Sequence, residues 1–165
     1  MCKTFFKYII AGVLSVFFVL DFVACMPGPD LLKRTDKPLS RNEVSRSGVD
    51  FPFPASAHNI YYAQFGNGQE WEYIVRFQST QEDCITTISA ALTWHDKISG
   101  TASVYTAVPL INPTKLPVSS TPLSPVPWFD GIVINRGIYV GEDKSHRPNI
   151  WIDQDNAVFY YRETD

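Results

Sequence analysis

The chain is short of the residues that most chemistries require. Its 165 residues include three cysteines and three histidines, and charged side chains make up only 19%. There is no C-x-x-C pair, so no local zinc knuckle or dithiol redox centre is available. His58, His95 and His146 stand far apart, in neither H-x-x-x-H nor H-E-x-x-H spacing. No metal and no cofactor are therefore expected. A G-x-S-x-G nucleophile elbow is also missing. The 14 basic residues are outnumbered by 17 acidic ones and form no stripe, giving a net charge of −3. Nucleic acid needs a positive footprint, so it is excluded as a partner.

What is present begins at the N-terminus. Met1 to Lys7 carries Lys3 and Lys7 and no acid, and Tyr8 to Leu20 is nearly unbroken apolar sequence. That is the basic n-region and short h-region of a secretory signal. A bilayer-spanning helix needs about 20 apolar residues, and Asp21 ends this run early. After Phe22-Val23-Ala24-Cys25, the prolines Pro27 and Pro29 around Gly28 cannot continue a helix.

Val23, Ala24 and Cys25 resemble the lipobox of bacterial lipoprotein precursors, with Phe22 where Leu is usual. The resemblance covers the first 25 residues. It implies removal of residues 1–24, acylation of Cys25 (diacylglyceryl and palmitate) and a membrane anchor on the extracytoplasmic face. In a Gram-negative cell, Met26 after the cysteine implies the outer membrane. An uncleaved helical anchor and ordinary signal cleavage are the alternatives. With Cys2 removed and Cys25 lipidated, Cys84 is left alone and no disulfide framework is expected. A Cys25–Cys84 bridge is the competing arrangement if Cys25 stays unmodified.

Residues 25–56 read as a tether, mixing Pro27, Pro29, Pro38, Pro52 and Pro54 with alternating charges and no apolar period. Phe51 and Phe53 are expected to pack on the domain. That domain, residues 57–165, opens with a hairpin, Asn59–Phe65 and Trp71–Gln78, around the turn Gly66-Asn67-Gly68. Trp71, Tyr73, Val75 and Phe77 alternate onto one face. Ser79-Thr80-Gln81-Glu82 has capping-box spacing, and Ile85, Ile88 and Leu92 follow at helical intervals. An amphipathic helix from Thr80 to about Trp94 is predicted, with Cys84 an inert hydrophobe on its buried stripe.

His95 to Ser103 reads as a loop, followed by a short strand over Ser103–Val108. Half of the 12 prolines fall between Pro109 and Pro127, an extended, polyproline-like surface excursion. Trp128-Phe129 re-enters the fold and Gly131–Arg136 reads as a turn of helix. Gly137–Glu142, Asn149–Asp153 and Ala157–Arg162 read as three strands. The expected fold class is α+β: an antiparallel sheet of about five strands with one main helix on one face, in the order β-β-α-β-β-β.

Asp153-x-Asp155 suggests a calcium loop, but Val158 and Thr164 stand where Gly and Glu are required, so a hairpin turn is the better reading. One helix cannot cover both faces of such a sheet. We expect the tether and the Pro-rich segment to cover the second face. The alternative leaves an open aromatic contact surface, with Trp71, Tyr73, Trp128, Trp151 and Tyr160 as its candidate residues. No catalytic residue is assigned. The expected function is that of a membrane-anchored envelope lipoprotein that binds a partner, an envelope protein in the first instance. The alternatives are an inhibitor or immunity-type lipoprotein acting on a secreted hydrolase, and an envelope hydrolase using His95 with Asp96, or His146 with Glu142 and Asp143.

Overall fold

A computed structural model describes residues 30–66, 71–100, 105–118, 126–141 and 147–164. The N-terminal segment with Cys25, the turn at Asn67-Gly68, and Glu142, Asp143 and His146 lie outside the described residues.

The hairpin forms where alternation places it: β2 (His58–Gly66) pairs antiparallel with β3 (Trp71–Gln78). The last strand, β9 (Val158–Thr164), lies against β3, with Val75 opposite Tyr161 and Phe77 opposite Phe159. β8 (Asn149–Asp153) and β7 (Gly137–Val140) follow antiparallel. Two outer strands complete the sheet: β1 (Asp30–Arg34) beside β2, and β4 (Ala107–Leu110) beside β7. The order is β1-β2-β3-β9-β8-β7-β4, all antiparallel. β9 is thus central and covered on both faces, which explains its unbroken Val158-Phe159-Tyr160-Tyr161 run.

The fold is α+β, with seven strands in the main sheet where about five were expected. β4 overlaps the short strand expected over Ser103–Val108, whereas β1 lies in the stretch read as a tether; pairing with β2 and β7 orders these edges more than any alternation of their own. A small second sheet joins β5 (Thr114–Lys115) to β6 (Val133–Ile134), within the stretch read as a helical turn.

The described residues also hold two helices rather than one. α1 (Arg41–Ser47) is started by a capping box. The Ser40 hydroxyl accepts from the Glu43 N–H, and the Glu43 carboxylate accepts from the Ser40 N–H at 2.7 Å. Gly48, with φ of 73°, ends it in the left-handed region. α1 buries Val44, and the chain after it buries Phe51 against Trp94, Phe159 and Tyr161. From Asp30 onward the stretch read as a tether is therefore part of the fold, and both phenylalanines pack on the domain as expected. A few well-placed apolar contacts and a hydrogen bond from the Leu39 N–H to the Ile60 carbonyl (2.8 Å) order it without any apolar period.

α2 (Gln81–Ser99) starts at Thr80, whose hydroxyl accepts from the Asp83 N–H at 3.1 Å, and ends at Gly100. It runs past Trp94 because Cys84, Thr87, Ala91 and His95 continue a single buried stripe, three or four residues apart. The small side chains of that stripe let the helix lie close to the sheet.

Two cores result, one on each face. Under α2 lie Ile60, Tyr62, Tyr73, Val75, Phe77, Ile150, Ile152, Phe159 and Tyr161. The opposite face buries Ala63, Phe65, Ile74, Trp151 and Tyr160 beneath Leu116, Val126, Phe129 and Ile134. The Pro-rich excursion thus supplies the second cover, with Leu116 and Val126 fully buried, whereas the stretch read as a tether, expected to share that role, packs Val44, Phe51 and Phe53 on the helix side.

Candidate functional site

The helix-side core does not close at the C-terminal end of α2. An open cleft of about 310 Å³ lies there. Trp71 and Tyr73 of β3 form one wall, and Trp94 and Ile98 of α2 another. Val49 and Asp50, just after α1, stand at the rim with Lys33 of β1 and Gln64 of β2. The Lys33 ammonium donates to the Ser47 carbonyl at 3.3 Å, which ties it to the end of α1.

Glu163 of β9 lies on the floor, 3% exposed. Strand alternation puts it there: Phe159, Tyr161 and Glu163 point to the same face, so an acid ends an otherwise aromatic row. A buried carboxylate is costly unless neighbours compensate it. The Tyr161 hydroxyl donates to Oε2 at 2.5 Å. Across the interface with α2, His95 Nδ1 approaches Oε1 to 2.7 Å, an ion-pair distance without the alignment of a hydrogen bond. His95 itself is 1% exposed.

The tyrosines report the same environment. Burial, then the neighbouring Tyr62 and the negative charges of Asp50 and Glu163, hold the Tyr73 phenol above the usual tyrosine range. Burial and then Glu163 do the same to Tyr161, more strongly. Two carboxylates thus act on one aromatic wall. The described lining contains no serine, threonine or cysteine, and its one hydroxyl is the Tyr73 phenol, which burial favours in the protonated form.

Of the aromatic residues singled out in the sequence, the structure brings together Trp71 and Tyr73 and separates the rest. Trp151 and Tyr160 are buried on the opposite face, edge-on to Phe129 at 6.0 and 6.2 Å. Trp128 is half-buried on that face, stacked on Tyr61 at 5.4 Å, and its indole N–H donates to the Thr35 carbonyl at 3.1 Å.

His95 is helical rather than in a loop, and its carboxylate neighbour is Glu163 instead of Asp96. His58 Nδ1 lies 3.0 Å from the Ser56 backbone carbonyl, while the Ser56 hydroxyl donates to Asp83, so these three form no serine–histidine–acid relay. The Asp153 carboxylate accepts from the N–H groups of Asp155 and Asn156, which makes it the clasp of a turn. Burial, aided by Asp83, pushes the Cys84 thiol up to about 11. Among the described residues no group of three or more histidines, cysteines and acids converges.

Sequence reasoning overlooked Glu163, Asp50 and Lys33. The signal for Glu163 was its place two residues beyond Tyr161 on an apolar strand face. For the other two it was the S-x-x-E box at Ser40, which marks that region as folded. Comparison of the chain with protein-family models, curated proteins and solved structures finds no match.

Proposed function

We propose that this chain is a lipid-anchored extracytoplasmic lipoprotein that acts by binding, and that the cleft beside α2 is its binding site. The observation that carries the reading is Glu163, a nearly buried carboxylate on the floor of a cleft walled by Trp71, Tyr73 and Trp94. Concave sites with aromatic walls and few polar groups are the usual form of ligand pockets, and this volume falls at the lower end of their range.

The anchor fits this use. Cys25 precedes Asp30 by five residues, so lipid on Cys25 holds the β1 edge within about 17 Å of the bilayer even at full extension. Lys33 of that same strand lines the cleft. A leash this short keeps the cleft close to the headgroup layer.

Two measurements test the reading. Wild-type chain should incorporate labelled palmitate and fractionate with membranes, and Cys25→Ser should do neither. Label retained by Cys25→Ser would remove the anchor. A photo-reactive phenylalanine at Ile98, on the cleft rim, should form an adduct in living cells, while the same residue at Val118 should not. Equal labelling from both positions, or none from either, would sink the cleft as the binding site.

A further inference from the structure

The cleft's chemistry is specific enough to name what it takes. We infer that it binds the substituted ammonium group of a small organic cation, choline-like in size and charge, either free or as a lipid headgroup. This deepens the binding reading above and rests on it.

Three features converge. Aromatic faces attract cations through their quadrupoles, and Trp71, Tyr73 and Trp94 supply three rings around one space. Tyr73 and Trp94 have centroids 5.6 Å apart and are inclined by 37°, so they form two adjoining walls rather than a stacked pair. Negative charge comes from Glu163 below and Asp50 at the rim, and both act on Tyr73. Behind the floor carboxylate the Tyr161 hydroxyl donates to Oε2, and His95 Nδ1 lies 2.7 Å from Oε1. Lys33 is the one opposing ammonium or guanidinium among the described lining residues. It is exposed, and its ammonium is directed to the Ser47 carbonyl.

The combination selects by elimination. An anion would meet the Glu163 carboxylate in a desolvated floor, where like charge is least screened. A neutral apolar ligand would pack on the rings but draw nothing from the negative charge of Asp50 and Glu163. A substituted ammonium satisfies both surfaces, since its alkyl groups pack on the rings and its charge faces the acid. Its weak hydration also makes it cheap to remove from water.

The test uses the full chain in maltoside micelles, read by tryptophan fluorescence. Choline should give a saturable change at least about tenfold tighter than 3,3-dimethylbutanol, its neutral isostere. Trp71→Ala should weaken choline about three- to thirtyfold, and Asp50→Asn about two- to fivefold. Trp128→Ala, on the opposite face, should leave it unchanged. Both rim substitutions avoid the buried floor, so the result does not depend on whether Glu163→Gln folds. Reconstitution into phosphatidylglycerol vesicles with and without phosphatidylcholine then identifies the source. Loss of free-choline binding in the presence of phosphatidylcholine assigns a headgroup, and retention assigns a free ligand. Equal affinity for 3,3-dimethylbutanol, or saturation by N-acetylglucosamine in place of choline, overturns the cation assignment and leaves a binding cleft. No response to choline overturns it as well, while the Ile98 adduct still decides the binding reading separately.

Discussion

The two faces of the sheet are covered by opposite means. On one, α2 lays a stripe of small residues over aromatic strands, and Phe51 wedges in from the α1 side. On the other no helix lies among the described residues; a proline-rich chain buries Leu116, Val126, Phe129 and Ile134 to the same near-zero exposure. Burial depends on apolar area removed from water and not on the regularity of the cover. The faces differ in what they leave open. The helix side has a cleft beside the end of α2 with an acid in its lining. Irregular chain conforms to the sheet, and Trp151 and Tyr160 are sealed beneath it.

The most direct way to break this comparison is to truncate one anchor on each side. Phe51→Ala and Phe129→Ala should each cost about 3–5 kcal/mol in urea unfolding, because each ring is almost wholly buried among other aromatics. A Phe129 variant as stable as wild type would show that the irregular segment covers its face without holding it.

Alkali should strain both faces, and the helix side more. Burial raises the pKa of Tyr73 and Tyr161 on the helix side and of Tyr160 opposite, and pushes the Cys84 thiol under α2 up to about 11. A raised value means that the fold prefers the protonated form. The stability these groups contribute is complete below their ordinary values of 9.0 for the thiol and 10.0 for the phenols, and falls as pH rises through the raised ones. Thermal unfolding between pH 8 and 11 should show a midpoint that drops above pH 9. Tyr73→Phe with Tyr161→Phe should flatten that drop more than Tyr160→Phe does. A flat profile for wild type would contradict the buried phenols. Cys84 should resist alkylation at pH 8 until the chain is unfolded.

Smaller effects sharpen the picture. Thr80→Ala and Ser40→Ala each remove a helix N-cap and should cost about 1 kcal/mol. An unchanged Ser40→Ala chain would mean that α1 is held by Val44 and its neighbours alone. Ile152→Val and Ile134→Val lie in different cores. Each should cost about 0.5–1.5 kcal/mol, and the double variant should equal their sum within about 0.5 kcal/mol. A larger discrepancy would show that the two faces are coupled through the sheet.

Much of the middle and end of the chain was legible from local pattern. The alternation of Trp71, Tyr73, Val75 and Phe77 places β3, and the helical spacing after Ser79 places α2, although the cap is Thr80 with Asp83 rather than the expected Ser79–Glu82 box, and Ile85 is exposed. Asn149–Asp153 appears with the bounds that the sequence predicts. These signals are short-range, because side-chain periodicity and capping depend on residues within a few positions of each other. The elements that were misread have no such period. β1 and α1 are ordered by contacts with β2, while Phe51, whose packing on the domain was expected, finds its partners more than 100 residues away in β9; polar, proline-bearing sequence does not announce which strands those are.

The candidate site divides along the same line. Composition supplied the aromatic residues from which Trp71 and Tyr73 come. Their meeting with Trp94, Asp50 and Glu163 needed the sheet order, in which the last strand inserts beside β3 and carries Glu163 under the end of α2. Helices and hairpins are local and can be read from the chain. A cleft is a relation between distant segments, and it exists only once the free energy of packing has chosen which of them lie side by side.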